Sequence, residues 1–169
     1  MRLFISLNFD EETTEALVEL QESLRDSGIG GNYTKPENLH LTLAFIGEYG
    51  NPDDVLDVIE SVPFRPVTVS YDGIQLFREM YLLRIDKNPG LESYVRRLRR
   101  ALAENDVPYD KKNFIPHITL IRKVSFRREV SDTQKLVRIK KTELPRVSLM
   151  RSERGKNGMI YTEIGGYEG

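Results

Sequence analysis

The chain contains two histidines, and both stand in the same short pattern of His, apolar, Thr and Leu: His40-Leu41-Thr42-Leu43 and His117-Ile118-Thr119-Leu120. In an extended strand, residues i and i+2 face the same way. Each pattern therefore presents one imidazole and one hydroxyl together, while Leu41, Leu43, Ile118 and Leu120 turn to the core. By average composition, a given His is followed by apolar-Thr-Leu on the order of a few times in a thousand. Two such runs at matching places argue against accident and against histidines that merely hydrogen-bond within a sheet. With an ordinary pKa of about 6.5, one imidazole can be neutral near pH 7 while another is protonated. A neutral ring takes a proton from an attacking water, and a protonated ring gives one to a departing alkoxide. Each transfer contributes roughly 10²–10⁴ in rate. Threonine hydroxyls donate hydrogen bonds to non-bridging phosphoryl oxygens. A histidine on each side and hydroxyls around the equator suit in-line displacement at phosphorus.

Arg122 follows the second pattern in the run HITLIR, and Phe45 takes the equivalent place in the first. A guanidinium there can bind phosphate bidentately, and it is expected on the cleft face; the alternative is a solvated arginine at a strand end. Tyr33 and Phe114 lie near the two patterns and can stack on a base or pack at the rim. Two histidines with no third, no cysteine, and no HxxxH or HExxH spacing make a poor metal ligand set. No metal and no cofactor are expected.

The elements that carry these residues recur. Residues 2–9 read as a strand, 10–26 as an amphipathic helix capped by Asp10 and ended by Gly28, Gly30 and Gly31, and 39–47 as a strand. Residues 80–86, 91–104 and 115–121 repeat that order. The offset is 77 residues: it maps His40 to His117, Phe4 to Tyr81, Gly28 to Asn105 and Lys35 to Lys112. Each half continues with a helix and a strand, 52–61 and 66–76 in the first, 131–139 and 143–151 in the second. Residues 159–164 read as a closing strand, and 151–158 as a polar hairpin loop. One α+β body is expected, bilobal, with two pseudo-symmetric sheet-and-helix lobes around a central cleft. It comprises residues 1–169 as a single domain of duplicated units, about 1–77 and 78–169.

The chain is 169 residues long, with 39% hydrophobic and 30% charged residues, which fits a globular domain with a core. It has no cysteine, which excludes a disulfide framework and thiol nucleophiles. No apolar run reaches the roughly 18 residues of a membrane span, and the opening strand is too short for a signal peptide. A cytoplasmic monomer without membrane contact is expected. The net charge of −1 hides an asymmetry: residues 1–77 hold 4 Lys+Arg against 14 Asp+Glu, and residues 78–169 hold 21 against 12. A basic half can receive a polyanion, or the two halves can simply attract each other. The densest basic stretch, residues 122–141, is the better place for a polyanion, whereas Arg96, Arg97, Arg99 and Arg100 read as a solvated helix face.

The run from Pro36 to Glu48 (PENLHLTLAFIGE) and the run from Phe114 to Arg122 (FIPHITLIR) resemble the two motifs of the two-histidine (2H) phosphoesterase superfamily. More closely they resemble its RNA 2′,3′-cyclic phosphodiesterases, also called 2′-5′ RNA ligase-like proteins. The opening RLFI and the tail segment LMRSE, followed by Tyr161, resemble that family too. The resemblance implies hydrolysis of RNA 2′,3′-cyclic phosphate ends, tRNA fragments among them, to 2′-phosphates without a metal. It implies His40 as general acid for the leaving 3′ oxygen and His117 as base for water, with Thr42, Thr119 and Arg122 on the phosphate. Some relatives also join RNA ends, so 2′-5′ RNA ligase activity stays open. Two rival readings remain: a phosphodiesterase for small cyclic nucleotides, and a binding module that senses a nucleotide or RNA end without turnover.

Overall fold

The computed structural model describes residues 1–126 and 130–169. The elements run in the order β1 (Arg2–Asn8), α1 (Glu11–Asp26), β2 (Gly30–Tyr33), a single 3-10 turn (Pro36–Asn38), β3 (His40–Glu48), α2 (Pro52–Ser61), β4 (Val67–Val69), β5 (Tyr71–Phe77), β6 (Met80–Ile85), α3 (Pro89–Glu104), β7 (His117–Phe126), α4 (Val130–Gln134), β8 (Thr142–Leu144), β9 (Arg146–Gly155) and β10 (Gly158–Glu168). None of the described helices is long and apolar enough to cross a membrane.

Helix starts follow from side chains that satisfy the free backbone N–H groups of a first turn. Asp10 accepts from the Thr13 N–H at 2.8 Å, and Asn88 accepts from the Leu91 N–H at 3.0 Å. Leu17, Leu20 and Leu24 line the buried face of α1, and Leu91, Val95, Leu98 and Leu102 that of α3. Several elements depart from the sequence expectation, among them the loop expected over 151–158, of which residues 151–155 belong to β9. The glycines after α1 lead directly into strand β2, which pairs with β7. Residues 66–76 and 143–151 each divide into a short and a long strand. The helix expected over 131–139 is described as Val130–Gln134.

Two antiparallel sheets hold the core between themselves and the helices, in the orders β10-β9-β1-β3 and β2-β7-β6-β5, and β4 pairs with β8. The 77-residue offset carries β1 onto β6, α1 onto α3, β3 onto β7 and β5 onto β9 within a residue or two. Each sheet nevertheless draws on both halves. Strand β5 of the first half joins β6, and β9 of the second half joins β1. The midpoint of the sequence separates the repeats but not the sheets.

The pairing registers reveal one extra residue at equivalent places. Ile5 pairs with Ala44 and Ser6 with Thr42, leaving Leu43 over in β3. Tyr81 pairs with Ile121 and Leu82 with Thr119, leaving Leu120 over in β7. A bulged residue loses its ladder partner and turns the following side chains. Both carbonyls accept from a helix of the opposite half, and Leu120 O also accepts from the Thr34 N–H at 3.0 Å. Gln21 of α1 donates to Leu120 O at 3.0 Å and to Thr34 O at 2.9 Å. Arg99 of α3 donates to Leu43 O at 3.2 Å and to Lys112 O at 2.7 Å. Arg99 is thus half-buried structural cement and not part of a solvated face, and burial lowers its pKa, opposed by Tyr109 and Asp110. Gln21, 4% exposed, has no route to solvent for its amide. Replacing it by Met keeps its length and strips two carbonyls of a donor. Gln21→Met should therefore lower the unfolding free energy by about 1–3 kcal/mol, read as a reduced midpoint in urea with unchanged slope. An unchanged midpoint would show that water serves these carbonyls equally well.

Candidate active site

His40 opens β3 and His117 opens β7, and the two strands lie against each other. Leu41, Leu43, Ile118 and Leu120 are fully buried, and the two histidines and Thr42 and Thr119 between them are half-exposed. All four polar residues line one cleft of about 520 Å³, within the range of about 300–1,000 Å³ usual for ligand sites.

The rings are oriented alike. His40 Nδ1 lies 2.7 Å from Asn38 O, and His117 Nδ1 lies 2.8 Å from Ile115 O. In each case the carbonyl belongs to the residue two before the histidine. A carbonyl only accepts, so each Nδ1 carries the proton and each neutral ring leaves Nε2 as its basic nitrogen. Thr42 Oγ1 lies 2.8 Å from His40 Nε2 and donates to it in that tautomer. The carbonyl of Thr119 accepts from Thr34 Oγ1 at 2.8 Å, which ties β7 to the segment after β2.

Two aromatic rings wall His40. Phe4 stands 5.0 Å from it, and Tyr161 meets it edge-on at 5.4 Å. This burial pushes the His40 pKa below its ordinary 6.5; the bond to Asn38 opposes the shift, and the charges of Arg122 and His117 reinforce it. Burial and these charges together favour the neutral form of His40.

Arg122 lines this cleft, though not for the reason a regular strand would give. Strict alternation from His117 and Thr119 turns it to the opposite side. The bulge at Leu120 makes Leu120 and Ile121 consecutive buried residues and reverses the phase, so that Arg122 emerges into the cleft. The same device buries Leu43 and Ala44 together and brings out Phe45, 53% exposed and also in the cleft. Tyr33 stands in an adjoining groove and is not among the cleft residues. Its hydroxyl donates to Ile29 O at 2.6 Å, and the Arg25 guanidinium covers its ring at 4.2 Å. Phe114 packs against the core. Sequence reasoning from the two patterns missed the Asn38 and Ile115 carbonyls, whose common place before each histidine was the available signal. It also missed Arg154, which enters from the β9–β10 hairpin and lines the cleft. Among the described residues no group of three or more His, Cys, Asp and Glu can hold a metal ion.

Paired sheets that deliver two His-x-Thr strands to one cleft define a two-histidine phosphoesterase. The chain belongs to the LigT-like phosphoesterase family, whose model matches residues 7–81 and 83–161, one stretch for each repeat. It is 26% identical over 176 residues to the RNA 2′,3′-cyclic phosphodiesterase of Aquifex aeolicus, covering 90% of each chain. With the protein of that name from Methanothermobacter thermautotrophicus it shares 27% identity over 182 residues, covering 97% of this chain and 96% of the other. The crystal structure of TT0787 of Thermus thermophilus superposes with a TM-score of 0.82 at 26% identity, over 99% of this chain and 97% of that one.

The electrostatics of the cleft are testable without substrate. Arg122→Gln removes one of the charges that disfavour protonated His40. The His40 imidazole should then titrate at higher pH, followed by NMR of its ring protons. An unchanged or lower value would mean that the guanidinium does not face this ring.

Proposed function

We propose that this protein hydrolyses RNA 2′,3′-cyclic phosphate ends to 2′-phosphates by paired-histidine acid–base catalysis without a metal. The observation that carries the reading is the convergence of two imidazoles, each held by an Nδ1 bond to a carbonyl, on one cleft with two threonines and Arg122. The names of the relatives point to the same substrate class.

The chemistry needs a water activated on one side of phosphorus and the 3′ oxygen protonated on the other. His117 Nε2 takes the proton from water as it attacks. The P–O3′ bond breaks, and His40 Nε2–H gives its proton to the leaving oxygen. The product keeps the phosphate on O2′. For this role His40 must be charged, whereas burial and Arg122 favour the neutral ring. An anionic phosphate bound beside it offsets the guanidinium and favours the imidazolium. The acid is thus armed by the substrate. Thr42, Thr119 and Arg122 hold the non-bridging oxygens, where negative charge grows in the transition state.

His40→Ala and His117→Ala should each lower kcat for a 2′,3′-cyclic phosphate end by roughly 10²–10⁴ while circular dichroism stays unchanged. Near wild-type turnover in either variant would refute paired catalysis. Exhaustive dialysis against EDTA should leave the rate intact; loss of activity that a divalent ion restores would show that a metal takes part.

A further inference from the structure

A larger groove of about 990 Å³ opens beside the catalytic cleft. The two share Thr34, Asn38, Arg122, Arg154, Met159 and Tyr161, so one runs into the other. Arg25, Lys35, Arg122, Lys123, Arg154 and Lys156 stand along the groove, and no described aspartate or glutamate lines it. These cations come from α1, from the link between β2 and β3, from β7, and from the β9–β10 hairpin. The first 77 residues hold only 4 Lys+Arg in all, and two of them, Arg25 and Lys35, are placed here. A protein of net charge −1 thus gathers like charges along one path that ends at its reacting site.

The path is framed by specific contacts. Lys35 Nζ donates to Asn157 O at 2.6 Å and ties down the hairpin tip. That hairpin turns through Lys156 and Asn157 between paired Gly155 and Gly158, which sets Arg154 and Lys156 at the groove. Tyr33 and Tyr161 add aromatic surface along it. A basic groove with aromatic side chains is how single-stranded nucleic acid is held without regard to sequence.

A cyclic phosphate closes the 3′ end of an RNA, so the rest of the chain can leave the cleft only on its 5′ side. Resting on the reading of the cleft given above, we propose that this groove holds the single-stranded RNA that leads into the cyclic phosphate end. The backbone phosphates of the preceding nucleotides lie against Arg25, Lys123, Arg154 and Lys156. Among the described residues of the basic stretch 122–141 marked out by the sequence, Arg122 and Lys123 line this path; Arg127 and Arg128 lie outside the described residues.

The test compares a 2′,3′-cyclic mononucleotide with a single-stranded hexanucleotide carrying the same cyclic end, over about 50–300 mM KCl. The hexanucleotide should show the lower KM and the steeper salt dependence. Replacing Lys123 and Lys156 together by Gln should raise its KM about tenfold at low salt. The log–log salt slope should become shallower by about 1.4, the counterions released by two contacts to a single strand. The mononucleotide should keep its kcat and KM in the same variant, which also reports that the fold is intact. Equal KM and salt slope for the two substrates in the wild type would overturn the groove assignment and leave the catalytic reading standing. So would a hexanucleotide KM unmoved by the double substitution. Failure of the wild type to hydrolyse either substrate would overturn the catalytic reading and the groove with it.

Discussion

An extra residue three places after each histidine, Leu43 in β3 and Leu120 in β7, reverses the direction of the side chains next in line. Without the bulge, a strand that presents His and Thr to the cleft would turn its next polar position away. With it, two consecutive apolar residues stay in the core and Arg122 or Phe45 comes forward. The bulge interrupts each ladder, and a buried carbonyl there needs donors from elsewhere; Leu120 O takes one from the Thr34 N–H. Gln21 and Arg99 meet that need from helices of the opposite half. The repeats are therefore bound together at the points where the cleft is shaped. Exchange of β5 and β9 between the sheets has the same effect on a larger scale.

The duplication makes the cleft nearly symmetric, and its chemistry comes from the departures from symmetry. Both histidines have their Nδ1 fixed by the carbonyl two residues earlier, which leaves both Nε2 atoms for proton transfer. Among the described residues, His40 has the ring contacts with Phe4 and Tyr161. One repeat supplies Arg122 where the other has Phe45. An apolar wall and a nearby guanidinium both disfavour a charged His40, so its surroundings differ from those of its counterpart although the motifs are alike. Catalysis that needs one acid and one base requires this kind of difference.

Much of this was legible in the sequence because its signals are local. Alternation gave the inward Leu41, Leu43, Ile118 and Leu120, and caps gave the starts of α1 and α3. The 77-residue offset anticipated the pairing of equivalent elements. What the sequence withheld depends on pairing between distant strands. A bulge is defined by its partner's register, so nothing in HITLIR announces that Arg122 changes phase. Strand β2 hides behind glycines that also end helices, and its partner β7 lies in the other half of the chain. Arg99 resembles the other arginines of its helix, and only the fold sets the carbonyl of Leu43 beneath it. Arg25 and Lys35 are sparse cations in an acidic half, and tertiary structure alone brings them beside Arg154 and Lys156.

Acid–base catalysis by two imidazoles is the centre of this account, and the pH dependence of kcat/KM on a cyclic phosphate end tests it most directly. That ratio reports the groups of the free enzyme, and kcat those of the complex. A bell should appear, with activity falling as pH rises through the His40 pKa. Because burial and Arg122 lower that pKa and a bound phosphate anion raises it, the alkaline limb of kcat/KM should lie at lower pH than the alkaline limb of kcat. His40→Ala should lose this limb and keep the other. A profile flat across the titration range of imidazole, or a bell that survives intact in His40→Ala, would contradict it.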